Sequence, residues 1–579
     1  MADTVEDIED ALLIPIPSAH NLILDDVRRL TGPGMLWAHP GAVLDVLFDG
    51  IDPEDLIAVW RKHIRHVLDR VGWMDQSSIE RHFDGGVNLA ISAPMDQLYS
   101  AIFVGQTAWH LCAAELLGET ANDFAPMIAD LLSVMKREAN PRLIALIAEA
   151  NRRQIDVLCD DDDLSLGHGK GSRTWPVTAL PNPGEVEWDK LFNIPVALIT
   201  GTNGKTTTTR LCAAIAKASG KTSGLTSTDF VQVGEDILER GDYSGPGGAR
   251  LLLRDPRLEV AILEVARGGI LRRGLPVRRA RIAVVTNVAA DHLGQYGVNT
   301  VPELTQAKFA VHRTLAQDGV LALNADDPFV VSEAARTPST IWWFSLHPDT
   351  PQITASCAGG LPCAWRDRDD LIFFDGVEKF HVISVADIPI SMDGAAEYNL
   401  LNALAAICVS RAMEIDFSAI HSGLSGFKSN PADNPGRCNE FKVNGARVFV
   451  DFAHNPHSVS AVAGAMAAIP AKRRFVMLSH AGDRSDEDIR EVTRMALSFN
   501  PDYVVATELS DYLRGRKPGE IPSLIQQTCK EHGMEANHIL MATSPSNGVA
   551  QILEQLQSDD LALILALSER DKIFEMLMQ

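Results

Sequence analysis

Short apolar runs separated by helical stretches recur from Pro195 to the C-terminal part of the chain. They are PVALIT (195–200), VAILEV (260–265), RIAVVTNV (281–288), RVFVDF (447–452), RFVMLS (474–479) and YVVATE (503–508). Runs this short and this apolar, alternating with helices, are typical of parallel strands that are covered by helices on both faces. The pattern predicts an α/β protein with parallel sheets. The segment 428–437, which is rich in Pro, Asn and Gly, predicts a boundary within this part of the chain.

The chain before Pro195 has a different pattern. Residues 124–154 place apolar side chains three and four positions apart, which is typical of helices, and the apolar stretch 98–118 predicts a further helix. Residues 159–185 interrupt this pattern with acids, glycines and prolines and predict a turn-rich connection. A chain of 579 residues is long enough for about three domains. We therefore expect a mainly helical N-terminal domain over 1–178, a central domain over 179–433 and a C-terminal domain over 434–579.

Charge and cysteine usage narrow the class of protein. The chain has 52 Lys and Arg against 76 Asp and Glu, a net charge of −24. That balance argues against nucleic acid or a membrane surface as partner, since both require a basic face. The start, MADTVEDIEDALLIPIP, is acidic and unlike a signal peptide, and the eight cysteines form no C-x-x-C pair. We expect a cytoplasmic protein with small-molecule partners, and a homo-oligomer because the apolar N-terminal helices offer packing surface.

The stretch LITGTNGKTTTTR (198–210) follows the first apolar run and has the composition of a phosphate-binding loop. Gly201 and Gly204 allow the backbone to turn without a Cβ, and Lys205 is placed to reach the β- and γ-phosphates of a nucleotide. Thr206 offers a hydroxyl to Mg²⁺ at the start of a helix, where backbone N–H groups favour an anion. The loop is the shorter G-T-N-G-K-T form rather than G-x-x-x-x-G-K-[ST].

A G-T-N-G-K-T loop after an apolar strand resembles the Mur ligases and the folylpolyglutamate synthetases. Further motifs follow in the same order: EVARGGILR (264–272), TNVAADH (286–292), AKFAVH (307–312), LNADDP (323–328), EYNLLNALAA (397–406), PGRCNEF (435–441) and VDFAHNP (450–456). One departure is Tyr398, where the family usually has a histidine. The resemblance implies a P-loop central domain with a parallel sheet, followed by a Rossmann-like C-terminal ligase domain.

The resemblance also implies roles for single residues. Catalysis is expected of Lys205, Glu264, His292 and Lys308. One or two Mg²⁺ ions are expected at Thr206, Glu264, His292 and Lys308, the lysine as a carbamate. ATP is expected to contact Gly201, Thr202, Asn203, Gly204, Lys205, Thr206, Thr207, Asn287, Asn324, Asp327, Arg437, Asp451, His454 and Asn455. Lys308 is expected to be modified or to swing away, because an ammonium group beside Mg²⁺ is repelled.

A narrower resemblance is to the Mur-type module of the cyanophycin synthetases. It rests on the GDYSGP stretch (241–246), on the EVARGGILR motif and on LRGRKPGE (513–520). Those enzymes carry an ATP-grasp domain before this module, whereas here LSLGHGKGSR (164–173) is followed almost at once by the P-loop strand. We therefore expect a synthetase-like chain without the ATP-grasp domain. A UDP-muramoyl substrate is not expected, because the UDP-binding domain of the peptidoglycan ligases is also missing.

Three functions are compatible with these motifs. The first is an ATP-dependent amide ligase that activates the carboxylate of an amino acid or short peptide as an acyl phosphate, for attack by an amine. The second is a non-catalytic or scaffolding subunit that works with a separate ATP-grasp ligase. The third is another P-loop ATPase, in transport or signalling. The complete set of Lys205, Glu264, His292 and Lys308 favours the ligase.

Overall fold

The computed structural model describes residues 8–578, so that the first seven residues of the acidic N-terminal segment lie outside the described part. The chain forms three successive regions. The second and the third each contain a large sheet, of eleven and six strands. Among residues 8–578, no helix combines the length and the apolarity that a membrane crossing requires.

The N-terminal region contains a sheet that the sequence pattern did not predict. Its strands are β1 (Leu22–Leu30), β2 (Gly41–Phe48), β3 (Ser78–Phe83) and β4 (Gly86–Ser92), antiparallel in the order β1-β2-β4-β3. The helices are α1 (Pro53–Arg70), α2 (Leu98–Leu117), α3 (Phe124–Glu138) and α4 (Pro141–Arg152). More residues are helical than extended, as expected. The sheet escaped prediction because β4 is buried along its whole length, so its side chains do not alternate between apolar and polar.

The segment predicted as a turn-rich connection is also partly extended. It forms a small antiparallel sheet of β5 (Val157–Cys159), β6 (Asp163–Leu166) and β7 (Arg173–Pro176). Short 3₁₀ helices follow its strands at Gly169–Gly171, Val177–Ala179, Pro183–Glu185 and Trp188–Lys190. Arg254 of the central region donates to Asp160 at 2.8 Å and to Ser165 at 2.8 Å, which attaches this sheet to the rest of the molecule.

The central sheet has eleven strands in the order β11-β10-β9-β12-β8-β13-β14-β15-β16-β17-β18. The strands are β8 (Val196–Thr200), β9 (Ser223–Thr226), β10 (Phe230–Val233), β11 (Asp236–Arg240), β12 (Val260–Glu264), β13 (Ala280–Val285), β14 (Leu315–Asn324), β15 (Thr340–Ser345), β16 (Cys363–Asp367), β17 (Asp370–Phe374) and β18 (Lys379–Ser384). The block from β9 to β16 is parallel, and antiparallel strands extend it at both edges. The predicted parallel sheet is thus confirmed.

Helices cover both faces of this sheet. Alternate residues of β8 accordingly belong to two different cores, with Ala197 and Ile199 on one face and Val196 and Leu198 on the other. The helices are α5 (Lys205–Ala218), α6 (Pro246–Leu253), α7 (Arg267–Arg272), α8 (Val301–Phe309), α9 (Pro328–Ala334), α10 (Pro351–Ala358), α11 (Glu397–Ala412) and α12 (Phe417–Gly426). Short 3₁₀ helices lie at Ala310–Thr314, Val385–Asp387 and Pro389–Ser391.

The C-terminal sheet has the strand order β19-β20-β24-β21-β22-β23 and is parallel except for the edge pair β19-β20. Its strands are β19 (Asn439–Val443), β20 (Ala446–Asp451), β21 (Arg474–Leu478), β22 (Tyr503–Thr507), β23 (Ile539–Ala542) and β24 (Leu561–Leu565). Its helices are α13 (Pro456–Ala467), α14 (Asp486–Leu497), α15 (Glu520–Glu531), α16 (Pro545–Gln555) and α17 (Arg570–Met578), with 3₁₀ turns at Ser510–Tyr512 and Ala536–His538. This arrangement confirms the predicted Rossmann-like domain.

The N-terminal region packs on the central domain beside α7, which follows the strand that ends at Glu264. Backbone hydrogen bonds join Leu275 to Pro33 at 2.6 Å and Thr31 to Arg273 at 2.8 Å. Arg28 donates from Nε to the carbonyl oxygen of Leu271 at 2.8 Å. The domain boundaries at 178/179 and 433/434 remain a proposal.

Candidate active site

A cavity of about 580 Å³ lies where the carboxyl ends of the central parallel strands face the C-terminal domain. In open parallel sheets this end of the strands is where ligands bind. Most of the predicted site residues line it: Thr202, Asn203, Gly204, Lys205, Thr206, Thr207, Glu264, Asn287, Asn324, Asp327, Arg437, Asp451 and His454. Four predicted site residues are outside the lining but lie close to it: Gly201, His292, Lys308 and Asn455.

The loop between β8 and α5 has two positions at which only glycine fits. Gly201 has φ of +147°, and a Cβ there would lie 1.9 Å from Oγ1 of Thr286. Gly204 has φ of +84°, and a Cβ would lie 2.2 Å from Oδ1 of Asn402. Because Gly204 has no side chain to cap α5, the first N–H groups of that helix remain available to an anion.

Positive charge is concentrated at the start of α5. Nζ of Lys205 donates to the carbonyl oxygen of Thr202 at 3.0 Å, which curls the lysine over the loop. Arg437 reaches from the C-terminal domain and donates to Oγ1 of Thr206 at 3.4 Å. Its guanidinium also lies over the ring of Phe452, 5.1 Å from the centroid. Both cations are placed to face phosphate groups.

Glu264 ends β12 beneath this loop and is 2% exposed. Within the described part of the chain, neither of its carboxylate oxygens has a hydrogen-bond partner. Burial raises the pKa of Glu264, while the charges of Lys205 and Arg437 act to lower it. A buried carboxylate without donors is costly unless a cation accompanies it. Its hard oxygens, together with the Thr206 hydroxyl, form a donor set that suits Mg²⁺.

Three polar residues at the ends of β13 and β14 hold the loops around the cavity. Asn287 accepts from the Asn203 N–H at 2.9 Å and donates to the Asn203 carbonyl at 3.0 Å. Asn324 donates to the carbonyl oxygen of Thr286 at 2.9 Å. Asp327 caps α9 and accepts from the N–H of Val288 at 2.6 Å. These residues are therefore oriented by the protein itself before a nucleotide arrives.

The C-terminal domain supplies the opposite wall. Asp451 accepts from the N–H groups of Cys438 and Ala453, each at 2.7 Å, and burial raises its pKa against the opposing charge of Arg437. Nδ1 of His454 pairs with the carbonyl oxygen of Phe452 at 2.9 Å.

Asn455 joins this wall to the P-loop. It caps α13, and its Nδ2 donates to Oδ1 of Asn203 across the domain interface at 3.0 Å. His457 also lines the cavity and pairs with Asn203 through Nδ1 at 2.9 Å. The two domains therefore meet directly over the loop between β8 and α5.

Lys308 lies behind the loop and is 4% exposed. Its Nζ donates to the carbonyl oxygen of Gly201 at 2.7 Å. Burial, and then the nearby charge of Lys205, holds the pKa of Lys308 well below its usual value. Both effects favour the neutral amine, which is the form that reacts with CO₂.

His292 is in a different environment. Its side chain is 47% exposed, its φ is +50°, and it can share a metal ion with Asp291 and His454, because ligand atoms of these three residues lie within 4.8 Å of one another. Partial burial, and then the charges of Arg484 and Arg267, lower the pKa of His292 to about 4. The structure thus groups His292 with Asp291 and His454, and a metal ion shared by His292 and Lys308 stays a prediction.

Several residues at this site have no role predicted from the sequence. Asp291 lies in the TNVAADH motif (286–292), but the resemblance implies no role for it. Asn402 of α11 accepts from Thr208 at 3.2 Å and packs against Gly204, and it too stands in a recognised motif. Arg484 donates to Asp291 at 3.2 Å, and no motif in the sequence points to it.

Comparison with known proteins agrees with this architecture. Residues 199–410 match the Mur ligase middle domain, and residues 436–566 match the Mur ligase glutamate ligase domain. Neither of the two matching domain families is the ATP-grasp family. In fold, the chain is similar to FolC from E. coli in complex with ADP, at 20% identity and a TM-score of 0.50, covering 66% of this chain and 89% of that one.

Curated relatives extend the comparison. The cyanophycin synthetase of Trichormus variabilis is 36% identical over 382 residues, which cover 64% of this chain and 42% of that protein. The UDP-N-acetylmuramoyl-L-alanyl-D-glutamate–2,6-diaminopimelate ligase of Chlorobaculum tepidum is 26% identical over 399 residues, which cover 65% of this chain and 71% of that protein. The match thus spans less than half the length of the cyanophycin synthetase. With two consecutive Mur ligase domains that together make up more than half of its length, this chain belongs to the Mur ligase family.

Proposed function

We propose that this protein is an ATP-dependent ligase that joins a carboxylate and an amine through an acyl phosphate, with release of ADP and phosphate. The observation that carries the proposal is Glu264, a buried carboxylate without a hydrogen-bond partner in residues 8–578, beneath a loop that presents Lys205 and free helix N–H groups. The names of the relatives support the class of reaction, since they are synthetases and ligases.

The first step is phosphoryl transfer. A carboxylate oxygen of the acceptor forms a bond to the γ-phosphorus of ATP, the bond from that phosphorus to the β–γ bridging oxygen breaks, and the bridging oxygen leaves with the electron pair as part of ADP. Such a transfer requires positioning and charge neutralisation rather than covalent help. Lys205, Arg437 and the N–H groups of α5 supply the charge. Mg²⁺ at Thr206 and Glu264 would neutralise phosphate oxygens further.

The second step forms the amide. The amine nitrogen forms a bond to the acyl carbon, the bond from that carbon to the phosphate oxygen breaks, and phosphate leaves with the electron pair. The departing phosphate takes the proton that the nitrogen loses. Acyl phosphates also react with water, so the site must be closed during the reaction. The contacts of Asn455 and His457 with Asn203 hold the C-terminal domain over the loop.

Lys308 is proposed to carry a carbamate. Its neutral amine would form a nitrogen–carbon bond to CO₂ and lose a proton, which converts a buried amine into an anion. A buried site beside the P-loop can hold that anion because Lys205 contributes a positive charge nearby. The carbamate would then be a hard-oxygen ligand for a second Mg²⁺, of the kind that this ion prefers.

The acceptor is proposed to be an amino acid or a short peptide. The resemblance to the cyanophycin synthetases favours an aspartate-like carboxylate and a basic amine. We expect one kind of amide bond and a small product, because the two Mur ligase domains enclose one proposed nucleotide cavity within residues 8–578.

The test is a screen of paired amino acids and dipeptides for ADP and phosphate release from ATP, followed by mass spectrometry of the product. We expect release that depends on both the carboxylate and the amine, at one ATP per bond. ATP hydrolysis that ignores both substrates would indicate a different ATPase. ADP binding without turnover for any pair would indicate a binding subunit. A long polymer with two alternating linkages would contradict the single-bond proposal.

A further inference from the structure

A row of polar side chains crosses the N-terminal sheet, with one residue from each strand in the order of the strands. Arg28 of β1 forms an ion pair with Asp45 of β2. Asn88 of β4 donates to Asp45 at 2.7 Å, and Arg81 of β3 donates to Asn88 at 3.0 Å. Arg28, Asp45 and Asn88 are 8%, 2% and 3% exposed. Because apolar residues in place of a buried ion pair are often as stable, the stability of the sheet alone does not account for this polar row.

The two ends of the polar row contact the central domain. Arg28 donates to the carbonyl oxygen of Leu271, in α7, at 2.8 Å. Arg81 donates from Nη1 to the carbonyl oxygen of Gly297 at 2.8 Å and from Nη2 to Oε1 of Glu303 at 3.0 Å. Gly297 lies in the loop between β13 and α8, and Glu303 lies in α8 itself. The row therefore joins three elements of the central domain through one sheet.

Each of these three elements carries or closely follows a predicted site residue. Helix α7 begins just after Glu264, and the loop between β13 and α8 contains Asp291 and His292. Helix α8 contains Lys308, whose Nζ donates to the backbone of the P-loop at 2.7 Å. Ligand atoms of Asp291 and His292 lie within 4.8 Å of each other and of His454 in the opposite wall. The N-terminal sheet thus contacts the parts of the central domain that supply the candidate metal ligands.

The loop that carries His292 has a backbone that depends on its surroundings. His292 and Tyr296 have φ of +50° and +57°, a left-handed conformation that residues other than glycine adopt at a cost and keep where the surrounding structure holds them. The guanidinium of Arg28 lies over the Tyr296 ring, 4.8 Å from its centroid. Asn299 donates to the carbonyl oxygen of Asp84, beside β3, at 3.2 Å. The N-terminal sheet therefore holds this loop at several points that follow His292.

Glu303 connects the same loop to α8. Its Oε2 accepts from the N–H groups of Asn299 at 2.8 Å and of Thr300 at 3.0 Å, and Thr300 caps the helix. Its Oε1 accepts from Arg81, so that the two Nη atoms of this arginine hold the loop and the helix together. A rigid guanidinium fork can keep two partners in a fixed arrangement, whereas the ammonium group of a lysine is a point charge.

We propose that Arg81 is a positioning residue, through which the N-terminal sheet sets the place of the His292 loop against α8 and so prepares Asp291 and His292 to bind a divalent cation. Its consequence for turnover rests on the proposed ligase function. The inference gives the N-terminal region a part in the active site, although no residue from 8 to 178 lines the cavity of about 580 Å³. Groups that orient metal ligands from behind typically change metal affinity or activity about 10- to 100-fold when they are replaced.

The experiment compares Arg81→Met and Arg81→Lys with Arg61→Met as a matched control, all in the full chain. Arg61 pairs at 2.7 Å with Glu80, the neighbour of Arg81 on β3, and successive residues of a strand point to opposite faces of the sheet. The control therefore removes the same charge and an ion pair from the same strand, on the face away from the central domain.

The first measurement is hydrogen exchange of residues 286–300 without nucleotide. This segment should exchange at least about tenfold faster in Arg81→Met than in wild type, because the loop loses the contact that holds it to α8. Arg81→Lys should give an intermediate rate, and Arg61→Met should match wild type.

The second measurement uses Mn²⁺, which accepts the same oxygen ligands as Mg²⁺ and is detected by electron paramagnetic resonance. In the presence of ADP, Arg81→Met should bind Mn²⁺ about tenfold more weakly than wild type. Turnover at limiting Mg²⁺ should fall by a similar factor and partly recover at high Mg²⁺, because misplaced ligands weaken metal binding without abolishing it. Hydrogen exchange and Mn²⁺ binding need no acceptor, so both report on Arg81 even if no substrate pair turns over and the ligase proposal fails.

Three results would overturn the proposal. One is an affinity of Arg81→Met for Mn²⁺ within about threefold of wild type, and another is the absence of Mn²⁺ binding by wild type itself. The third is faster exchange throughout residues 22–92 together with a lower unfolding midpoint, which would show that Arg81 only stabilises the N-terminal sheet. Faster exchange confined to the segment that follows β13, with weaker Mn²⁺ binding and an unchanged midpoint, is the result that supports the positioning role.

Discussion

The two walls of the cavity differ in how they are built. The central-domain wall is held by contacts inside one domain: Gly204 packs on Asn402, and Asn287 bonds the loop at Asn203. The C-terminal wall reaches the loop only across an interface, through Arg437 on Thr206 and through Asn455 on Asn203. The comparison indicates that the proposed phosphate-binding loop is held in place within one domain, whereas the charge of Arg437 reaches it only when the two domains meet.

An ion pair outside the cavity links the same two domains. Arg570, at the start of α17, contacts Asp229 at 2.6 Å, and Asp229 also pairs with Arg210 of α5 at 2.6 Å. Arg210 in turn donates to Asn434 of the interdomain segment at 3.1 Å. This network connects the P-loop helix to the C-terminal domain, and it provides a means of weakening the interface without touching the cavity.

The largest loss of activity is expected from a substitution in the central-domain wall. Lys205→Ala removes the loop cation and should abolish turnover, with a fall in kcat of at least about 100-fold, because a preorganised charge at a phosphoryl group contributes that much. The unfolding midpoint should not change, since the lysine is not part of a core. The measurement is product formation per unit time from the best substrate pair.

Lys217→Ala is the matched control for Lys205→Ala. Lys217 lies on the same helix, is largely exposed and pairs with Glu235 at 2.5 Å. Its replacement should leave turnover unchanged. Product formation by Lys205→Ala above about a tenth of the wild-type rate would contradict the phosphate-binding role of the loop.

The next largest loss of activity is expected at Lys308, where the experiment asks whether the central-domain wall includes a carbamate. Stripping bicarbonate should lower activity and restoring it should recover the activity, because burial lowers the pKa of Lys308 and favours the neutral amine that reacts with CO₂. Activity should also fall as the pH drops through that pKa, since protonation prevents carbamate formation. Lys308→Ala should be inactive and partly rescued by small carboxylates. Full activity of wild type without bicarbonate would exclude the carbamate.

A smaller loss of activity is expected when the contact of the C-terminal wall with the central domain is weakened. Arg570→Ala removes the ion pair with Asp229 and should lower kcat/KM about tenfold, with affinity for Mg·ADP nearly unchanged. The ion pair can be isolated with Asp229→Asn and the double variant, and we expect a coupling energy of about 1 kcal/mol.

Lys572→Ala is the control for Arg570→Ala, because Lys572 lies on the same helix, is exposed and contacts only Glu569, at 3.8 Å, among the ion pairs of the described residues. If Arg570→Ala and Lys572→Ala give the same kcat/KM, the ion pair does not contribute to closure. A parallel loss of Mg·ADP affinity in Arg570→Ala would instead mean that the two walls are not independent.

The smallest effect at neutral pH is on the free energy of unfolding and concerns His480. This residue is 4% exposed and lies just after β21. Burial, and then the charges of Arg484 and His454, lowers its pKa to about 4. Between the ordinary histidine pKa and this value, the unfolded chain binds a proton that the folded protein does not. The free energy of unfolding should therefore fall as the pH drops through this window, by at most about 1.4 kcal/mol per pH unit.

Denaturant titrations of wild type and His480→Gln at several pH values between neutral and about pH 4 test this expectation. The variant should lose less stability on acidification than wild type. Parallel pH curves for the two proteins would show that His480 is not the residue responsible, and would leave His292 and His454 as the titrating groups of this interface.

Much of the fold followed from local pattern. The apolar runs predicted at 195–200, 260–265 and 281–288 contain β8, β12 and most of β13, and the helix predicted after the P-loop begins at Lys205. The N-terminal sheet did not follow, because β2 and β4 are buried along most of their length and lack the alternation that reveals a strand. Their pairing is antiparallel and joins segments far apart in the chain.

The geometry of the proposed phosphate-binding loop follows from the sequence, since a strand, two glycines, a lysine and a threonine within a few positions produce it locally. The order of the motifs likewise indicates the family. What faces that loop depends on tertiary packing. Arg484 and Asp291 are 193 positions apart, and Asn203 and Asn455 are 252 apart. Such contacts depend on how two separately folded sheets pack together, and no local pattern of residues encodes that packing.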